Sequence, residues 1–256
     1  MSFLEKGDFD VKVRIHSKNE IGKLAKTFNK MTTRVKKLIN DVYIEKINQR
    51  ELELQMLRNQ INPHFLYNTL ESMRMVAEYN NIPKISDMAF LLGKILRFGI
   101  NMNKDIVTIK EEIEYLNYYI KLQNYRFENS FRAIINIDES ICDCQIIKLI
   151  LQPVVENAIY HGLSDRPQDG LIEITTAGDE SNIIFTVKDN GHGMERDTVA
   201  NLNNYLYDLN NSFKSIGLKN VHKRIQLFYG RDYGITIDST LGFGTNVKIT
   251  LPKISM

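Results

Sequence analysis

Residues 183–194 read Ile183-Ile184-Phe185-Thr186-Val187-Lys188-Asp189-Asn190-Gly191-His192-Gly193-Met194. The first six have the alternation of a half-buried strand, and the strand runs straight into a carboxylate followed by two glycines one residue apart. A carboxylate at a strand's end can accept from an exocyclic amine such as that of adenine. The glycines let backbone approach a ligand and act as a hinge for the next segment. The pair is no dinucleotide fingerprint, because Arg196 stands where a third glycine is required. Alone, the stretch fits a β-turn equally well.

Outward from it, strand-like alternation recurs at Phe131–Ile137, Leu171–Thr176, Gly234–Asp238 and Thr245–Leu251, with helical stretches at Gln145–His161 and Ile216–Phe228. Three further segments carry polar or glycine residues that packing alone does not ask for. In Leu151-Gln152-Pro153-Val154-Val155-Glu156-Asn157-Ala158-Ile159-Tyr160-His161-Gly162, a helix places Asn157 and His161 on one face with Val154, and Val155 and Ile159 toward the core. An Asn carbonyl oxygen is a Mg2+ ligand that adds no charge beside phosphates. Ile216-Gly217-Leu218-Lys219-Asn220-Val221 puts a glycine at the mouth of a helix, where free N–H groups favour anions. Gly242-Phe243-Gly244-Thr245 opens the last strand. Between the second and third of the four segments, Glu195–Ser215 is Asn-rich and poor in core residues, the composition of a mobile lid.

The front half is helical. From Ile21 to Asn62, Leu24, Phe28, Met31, Val35, Ile39, Tyr43, Ile47, Leu54, Leu57 and Ile61 recur at steps of three and four, with Arg50 filling one seam position. That is a coiled-coil seam and predicts a homodimer. The four-residue steps from Met31 to Ile47 predict local unwinding. Lys6–Asp10 reads as a turn and Asn19 as the helix N-cap. Further helices are predicted over Ile85–Gly99 and Ile109–Phe127. The predicted fold class is therefore α+β: a long dimeric coiled coil and helical hairpin, followed by an α/β sandwich.

Composition bounds the function. The 256 residues carry 33 basic and 31 acidic side chains, a balance that argues against a nucleic-acid binder working through bulk charge. No apolar run reaches the roughly 18 residues of a membrane span, and there is no signal-peptide pattern. Cys142 and Cys144 are too close for a disulfide framework and too few for a zinc site. His16, His192 and His222 lack metal-ligand spacing and read as surface or loop residues.

Taken together, the four segments occur in the order N-box, D-x-G-x-G, G-x-x-N, G-x-G-T, and so resemble the Bergerat-type ATP-binding domain of histidine kinases and related ATPases. The resemblance implies that Asn157 binds Mg2+, that Asp189 reads the adenine amine, and that Gly191 and Gly193 shape the pocket floor. It places Gly217, Leu218 and Asn220 beside the phosphates, with His161 in the same nucleotide-binding set. Gly242, Gly244 and Thr245 close the adenine side. Asn62-Pro63-His64-Phe65-Leu66-Tyr67-Asn68 resembles the acceptor helix of sensor histidine kinases of the YesM/LytS type. Leu92–Phe98 and Glu111–Phe127 resemble the segments that come after it in that group. Gly7–Asp10, Asn19–Leu24 and Phe28–Met31 resemble the second half of a HAMP signal-relay domain.

These resemblances imply ATP-dependent phosphorylation of His64 and transfer to an aspartate of a response-regulator receiver domain. Imidazole suits the task because near pH 7 it keeps a free lone pair. Pro63 is expected to interrupt the helix just before it. Two departures stand out. Phe65 occupies the position after the acceptor, where many kinases place an acid, leaving Asn68, one turn on, and Glu71, two turns on, as candidates to assist the proton. Tyr160 stands where related kinases often carry a basic residue, and Lys214 or Lys219 is a candidate substitute. The implied organisation is a partial HAMP and signalling helix over 1–45, dimerisation and acceptor helices over 46–128, and the ATP domain over 129–256. The chain then reads as a cytoplasmic fragment of a cell-membrane protein. The rival readings are an ATPase, with Glu156 as base for water, and a dimeric scaffold with a degenerate pocket.

Overall fold

The computed structural model describes residues 20–59, 62–100, 105–128, 130–163, 169–179, 181–207 and 216–254. They form two compact units, divided between Asn62 and Pro63. In the first, α1 (Glu20–Asn59) is one continuous helix of 40 residues. It leaves Leu24, Met31, Ile39, Tyr43 and Ile47 exposed along the expected seam. The Lys6–Asp10 turn and the Asn19 cap lie outside the described residues.

The second unit begins with α2 (Pro63–Tyr79) and α3 (Pro83–Ile100), each with proline as its first residue, where the missing N–H has no intrahelical partner to lose. A three-residue turn joins them, with Asn81 at φ 55°. Strand β1 (Ile106–Thr108) leads into α4 (Ile109–Arg126), whose N-terminus is closed by a capping box between Thr108 and Glu111. Then come β2 (Phe131–Asn136), β3 (Gln145–Ile147), α5 (Gln152–Asn157) with a π-helical turn over Ala158–Gly162, β4 (Gly170–Gly178), β5 (Asn182–Asp189), α6 (Arg196–Tyr207), α7 (Ile216–Tyr229), β6 (Gly234–Thr240) and β7 (Gly244–Pro252).

Five of these strands form one sheet in the order β2-β4-β5-β7-β6, with β2 and β4 parallel and the rest antiparallel. Register aligns Ile174, Val187, Val247 and Ile237 in one row, and Phe185, Ile249 and Ile235 in the next. All seven are buried on the face that α6, α7 and the π turn cover. Each contributes about 1.5–3 kcal/mol of apolar burial. The opposite face carries Glu173, Lys188 and Lys248, so the architecture of the sheet region is a two-layer α/β sandwich. The period of two also puts Asp189, which pairs with Ile172, on the helix-facing side at the end of β5.

Three expectations are corrected. Residues 145–151 are not helix: Gln145–Ile147 pairs antiparallel with β1, and helix starts only at Gln152, with Pro153 in its first turn. The β-branched pair Ile146-Ile147 is fully buried between layers, and Leu149 takes a φ of 59° that no helix accommodates. Within Glu195–Ser215, expected to be poor in core residues, 196–207 form α6 with Tyr205 and Leu206 buried. Its Asn203 accepts from the Ile237 N–H at 3.0 Å and donates to the Ile237 carbonyl at 2.8 Å, satisfying both backbone groups on the outer edge of β6.

Third, His222 is a core residue. It is fully buried on α7, and its Nδ1 accepts from the Ile235 N–H at 3.0 Å. A Cβ on Gly234 would stand 2.6 Å from its ring. Burial depresses the imidazole's pKa below the usual 6.5 or so. The unfolded chain therefore takes up this proton first as pH falls. Stability from the neutral ring is complete above about pH 6.5 and is lost on acidification toward the lower native value, with a slope of at most about 1.4 kcal/mol per pH unit. Urea midpoints measured between pH 7.5 and 5.5 should fall more steeply for wild type than for His222→Gln. Parallel slopes would refute the assignment.

Candidate functional site

A cavity of about 730 Å³ opens between the end of β5, the α5 segment with its π turn, and the starts of α7 and β7. All four polar or glycine segments contribute to its lining: Glu156, Asn157 and His161 from the first, Asp189 and Gly193 from the second, Gly217 and Leu218 from the third, and Thr245 from the fourth. Gly191 and Gly244 lie behind the lining, against Asp189. Asn220 and Gly242 are exposed and do not line the cavity.

Asp189 is 4% exposed, and its Oδ1 accepts from the N–H groups of Gly191 at 2.9 Å and Thr245 at 3.2 Å. That fixes the carboxylate in one orientation and leaves Oδ2 as the oxygen not engaged by these amides. Burial pushes its pKa above the usual aspartate value, against the pull of the two amides. Close backbone approach makes the arrangement possible. A Cβ on Gly191 would lie 2.0 Å from the Gly162 carbonyl oxygen, and Gly244, at φ 98°, would drive one to 2.0 Å from the Asp189 carbonyl oxygen. Asn190 secures the loop from outside, accepting from Leu171 N–H and donating to the Asp169 carbonyl, both at 2.8 Å.

Much of the cavity wall is apolar. Val187, Met194, Leu202, Ile237 and Val247 line it, giving the mixture of apolar wall and one fixed polar group that suits a flat heterocycle. Leu202 and Ile237 escaped the sequence reading because they sit on elements with no motif; the only available signal was their apolar period.

The α5 segment carries the polar wall. Asn157 Nδ2 donates to the Pro153 carbonyl at 2.8 Å, so Oδ1 remains as its acceptor. One neutral oxygen, with the rest of the shell drawn from phosphate and water, suits Mg2+, which keeps much of its hydration. Val154 is 1% exposed yet touches the cavity. The segment is anchored from behind by Glu112, fully buried on α4, whose carboxylate accepts from the N–H groups of Leu149 at 2.8 Å, Ile150 at 2.9 Å and Leu151 at 3.2 Å. Burial raises the pKa of this carboxyl, and the three amides pull against that rise. Tyr115 adds a second link, donating to Gln152 Oε1. Lys219, a candidate phosphate partner, is buried with its ammonium 3.7 Å from the Tyr205 ring centroid and does not line the cavity. Lys214 lies outside the described residues.

His64 is the second residue of α2 and is exposed. The helix starts at Pro63, where a break was expected. The Asn68 carboxamide lies one turn on, its Nδ2 3.3 Å from Nδ1 and 3.4 Å from Nε2 of the imidazole. Glu71 is turned to Arg74 instead, whose Nε and Nη2 donate to it, and these hydrogen bonds hold its carboxyl below the usual range. Arg74 also reaches Glu78, which accepts from Ser86 of α3 at 3.2 Å. Of the two candidates to assist the proton, only Asn68 is beside the ring.

Comparison with known proteins gives three family matches. Residues 4–37 match the HAMP domain, residues 52–131 the histidine kinase family, and residues 142–255 the family described as histidine kinase-, DNA gyrase B- and HSP90-like ATPase. The chain is 38% identical over 237 residues to the sensor histidine kinase YesM of Bacillus subtilis, covering 93% of this chain and 40% of that protein. It is 30% identical over 220 residues to the sensor protein kinase HptS of Staphylococcus aureus, covering 84% of this chain and 41% of that protein. The chain thus spans about two fifths of the length of these relatives. Among solved structures, the histidine kinase domain of the Erythrobacter litoralis blue-light activated histidine kinase aligns with 75% of this chain and 94% of its own length, at 15% identity and a TM-score of 0.44.

Proposed function

We propose that this chain, which belongs to the sensor histidine kinases of the YesM type, uses ATP to phosphorylate its own His64 and passes the phosphoryl group to an aspartate of a response regulator. One observation carries the reading: four segments separated by tens of residues converge on a single cavity around one fixed carboxylate, in a chain that exposes a histidine at a helix start.

The chemistry rests on these residues. Asp189 Oδ2 accepts from the adenine amine while the apolar wall packs on the ring, which orients the nucleotide with its phosphates toward Asn157 and the N-terminus of α7. Asn157 Oδ1 would hold Mg2+, which would supply charge neutralisation at the phosphates. A neutral ring nitrogen of His64 attacks the γ-phosphorus, the bond to the bridging oxygen breaks, and ADP departs with that oxygen. The second ring nitrogen carries the positive charge until its proton passes to water, and Asn68, with Nδ2 3.3–3.4 Å from the ring nitrogens, holds the imidazole in place. Positioning and electrostatics carry the reaction, so a weak hydrogen-bonding neighbour suffices where a strong base is absent.

The exposed apolar seam of α1 supports pairing with a second copy. The HAMP match supports a place on the cytoplasmic side of a membrane sensor. Among the described residues, no helix is long and apolar enough to cross a membrane.

Incubating the chain with γ-labelled ATP and Mg2+ tests the reading. The expected result is acid-labile, base-stable label that maps to His64. Release of inorganic phosphate with no label on protein would favour hydrolysis, with Glu156 as the base, and a chain that binds no nucleotide would favour a scaffold.

A further inference from the structure

The phosphate end of this cavity presents a charge problem. Among the described residues, the cavity as a whole is lined by Glu156 and Asp189 and by no Lys or Arg. A triphosphate brought beside Glu156 in a partly closed site needs a cation other than Mg2+ to offset its charge. Tyr160 lines the cavity three residues beyond Asn157, and the last turn of α4 clasps it. Arg126 Nη1 donates to the Tyr160 hydroxyl oxygen at 2.5 Å, and that hydroxyl in turn donates to Gln123 Oε1 at 3.4 Å. The guanidinium carbon lies 5.6 Å from the Tyr160 ring centroid, and Phe127 meets the same ring edge-on at 5.6 Å. Gln123 is itself buried, so the clasp has a fixed base.

We propose that Arg126 binds the nucleotide's phosphates, Tyr160 acting as the post on which its guanidinium is mounted at the cavity rim. The cation that α5 lacks is thus delivered by α4. Only one of the five N–H groups of Arg126 is used by Tyr160, and the remaining fork matches the spacing of phosphate oxygens. The inference rests on the cavity being a nucleotide site, and goes beyond it in naming the residue that recognises the phosphates rather than the base.

ATP and adenosine affinities of the full chain, measured by calorimetry, separate the possibilities. Arg126→Ala should weaken ATP binding by about ten- to a hundredfold, the scale of a lost charge-assisted hydrogen bond, and leave adenosine binding within about twofold of wild type. Arg126→Lys, which keeps the charge but not the fork, should recover only part of the ATP affinity. Equal loss of ATP and adenosine would mean that Arg126 merely holds Tyr160 in shape and would overturn the proposal, as would no loss of either. A wild-type chain that bound neither ligand would overturn the nucleotide reading itself, so the two failures are distinguishable.

Discussion

Asparagine in place of Asp189 should weaken ATP binding about a hundredfold and at the same time raise the melting temperature at pH 7. Both signs come from one geometry. The two amides of Gly191 and Thr245 demand an acceptor at the Oδ1 position. The carboxamide of the Asp189→Asn variant must therefore place its oxygen there and its NH2 where Oδ2 was. With adenine bound as proposed, a donor then faces the adenine amine, itself a donor, and both are left unsatisfied at a cost of about 2–3 kcal/mol. Stability moves the other way because burial holds the native Asp189 pKa above the ordinary value of about 3.9. A raised carboxyl pKa contributes stability that is full below that ordinary value and is lost as pH rises through the native one, so at pH 7 the ionised group is a burden that the amide lacks. The gain in melting temperature should shrink as pH is lowered toward 4. Calorimetry for affinity and thermal scans at two pH values test the pair. A variant that bound ATP as wild type, or melted lower at pH 7, would contradict the assignment.

Glu112→Leu should be the most damaging single change outside the cavity, costing about 3–5 kcal/mol. The side chain is of comparable size, so loss of packing is minor. The variant leaves two buried N–H groups, at Ile150 and Leu151, and one half-buried, at Leu149, with no acceptor, and each buried one costs about 1–3 kcal/mol, partly offset by no longer burying a charge. Glu112→Gln should cost less, because one amide oxygen can serve the Ile150 and Leu151 amides that now share Oε1, and only the Leu149 bond is lost. At about 2–4 °C per kcal/mol for a unit of this size, the leucine variant should melt roughly 10 °C lower. Since residues 149–151 lead directly into α5, its ATP affinity should also fall. A leucine variant as stable as wild type would show that the three amides find water, and that α4 does not brace the site.

Much of the site was legible in the chain because its chemistry is written in consecutive residues. Asp189 with its two glycines, Asn157 with His161, Gly217 with Leu218, and Gly244 with Thr245 are each local patterns, and the cavity assembles all four. The proline before His64 marked a helix start as well as an expected break. The features that escaped were carried by residues whose type misled. Asn203 contributed to a lid-like composition, yet its carboxamide completes the outer edge of β6. His222 looked like a surface histidine because periodicity weights polar residues outward, while its ring fills the space that Gly234 leaves open. Gln145–Leu151 kept a helical period, but pairing with β1 and the buried Glu112 carboxylate overrode it.

By itself the sequence determined most of the strand and helix periods, the order of the four segments that meet at the cavity, and the histidine just after a proline, since each depends on residues within a turn or two of one another. The tertiary structure alone decided that Glu112 braces residues 149–151, that Asn203 meets Ile237, and that Arg126 meets Tyr160. These partners lie 34 or more positions apart along the chain. The reason is physical: a local pattern says which face a side chain turns outward, whereas the identity of its partner there is set by how the layers pack.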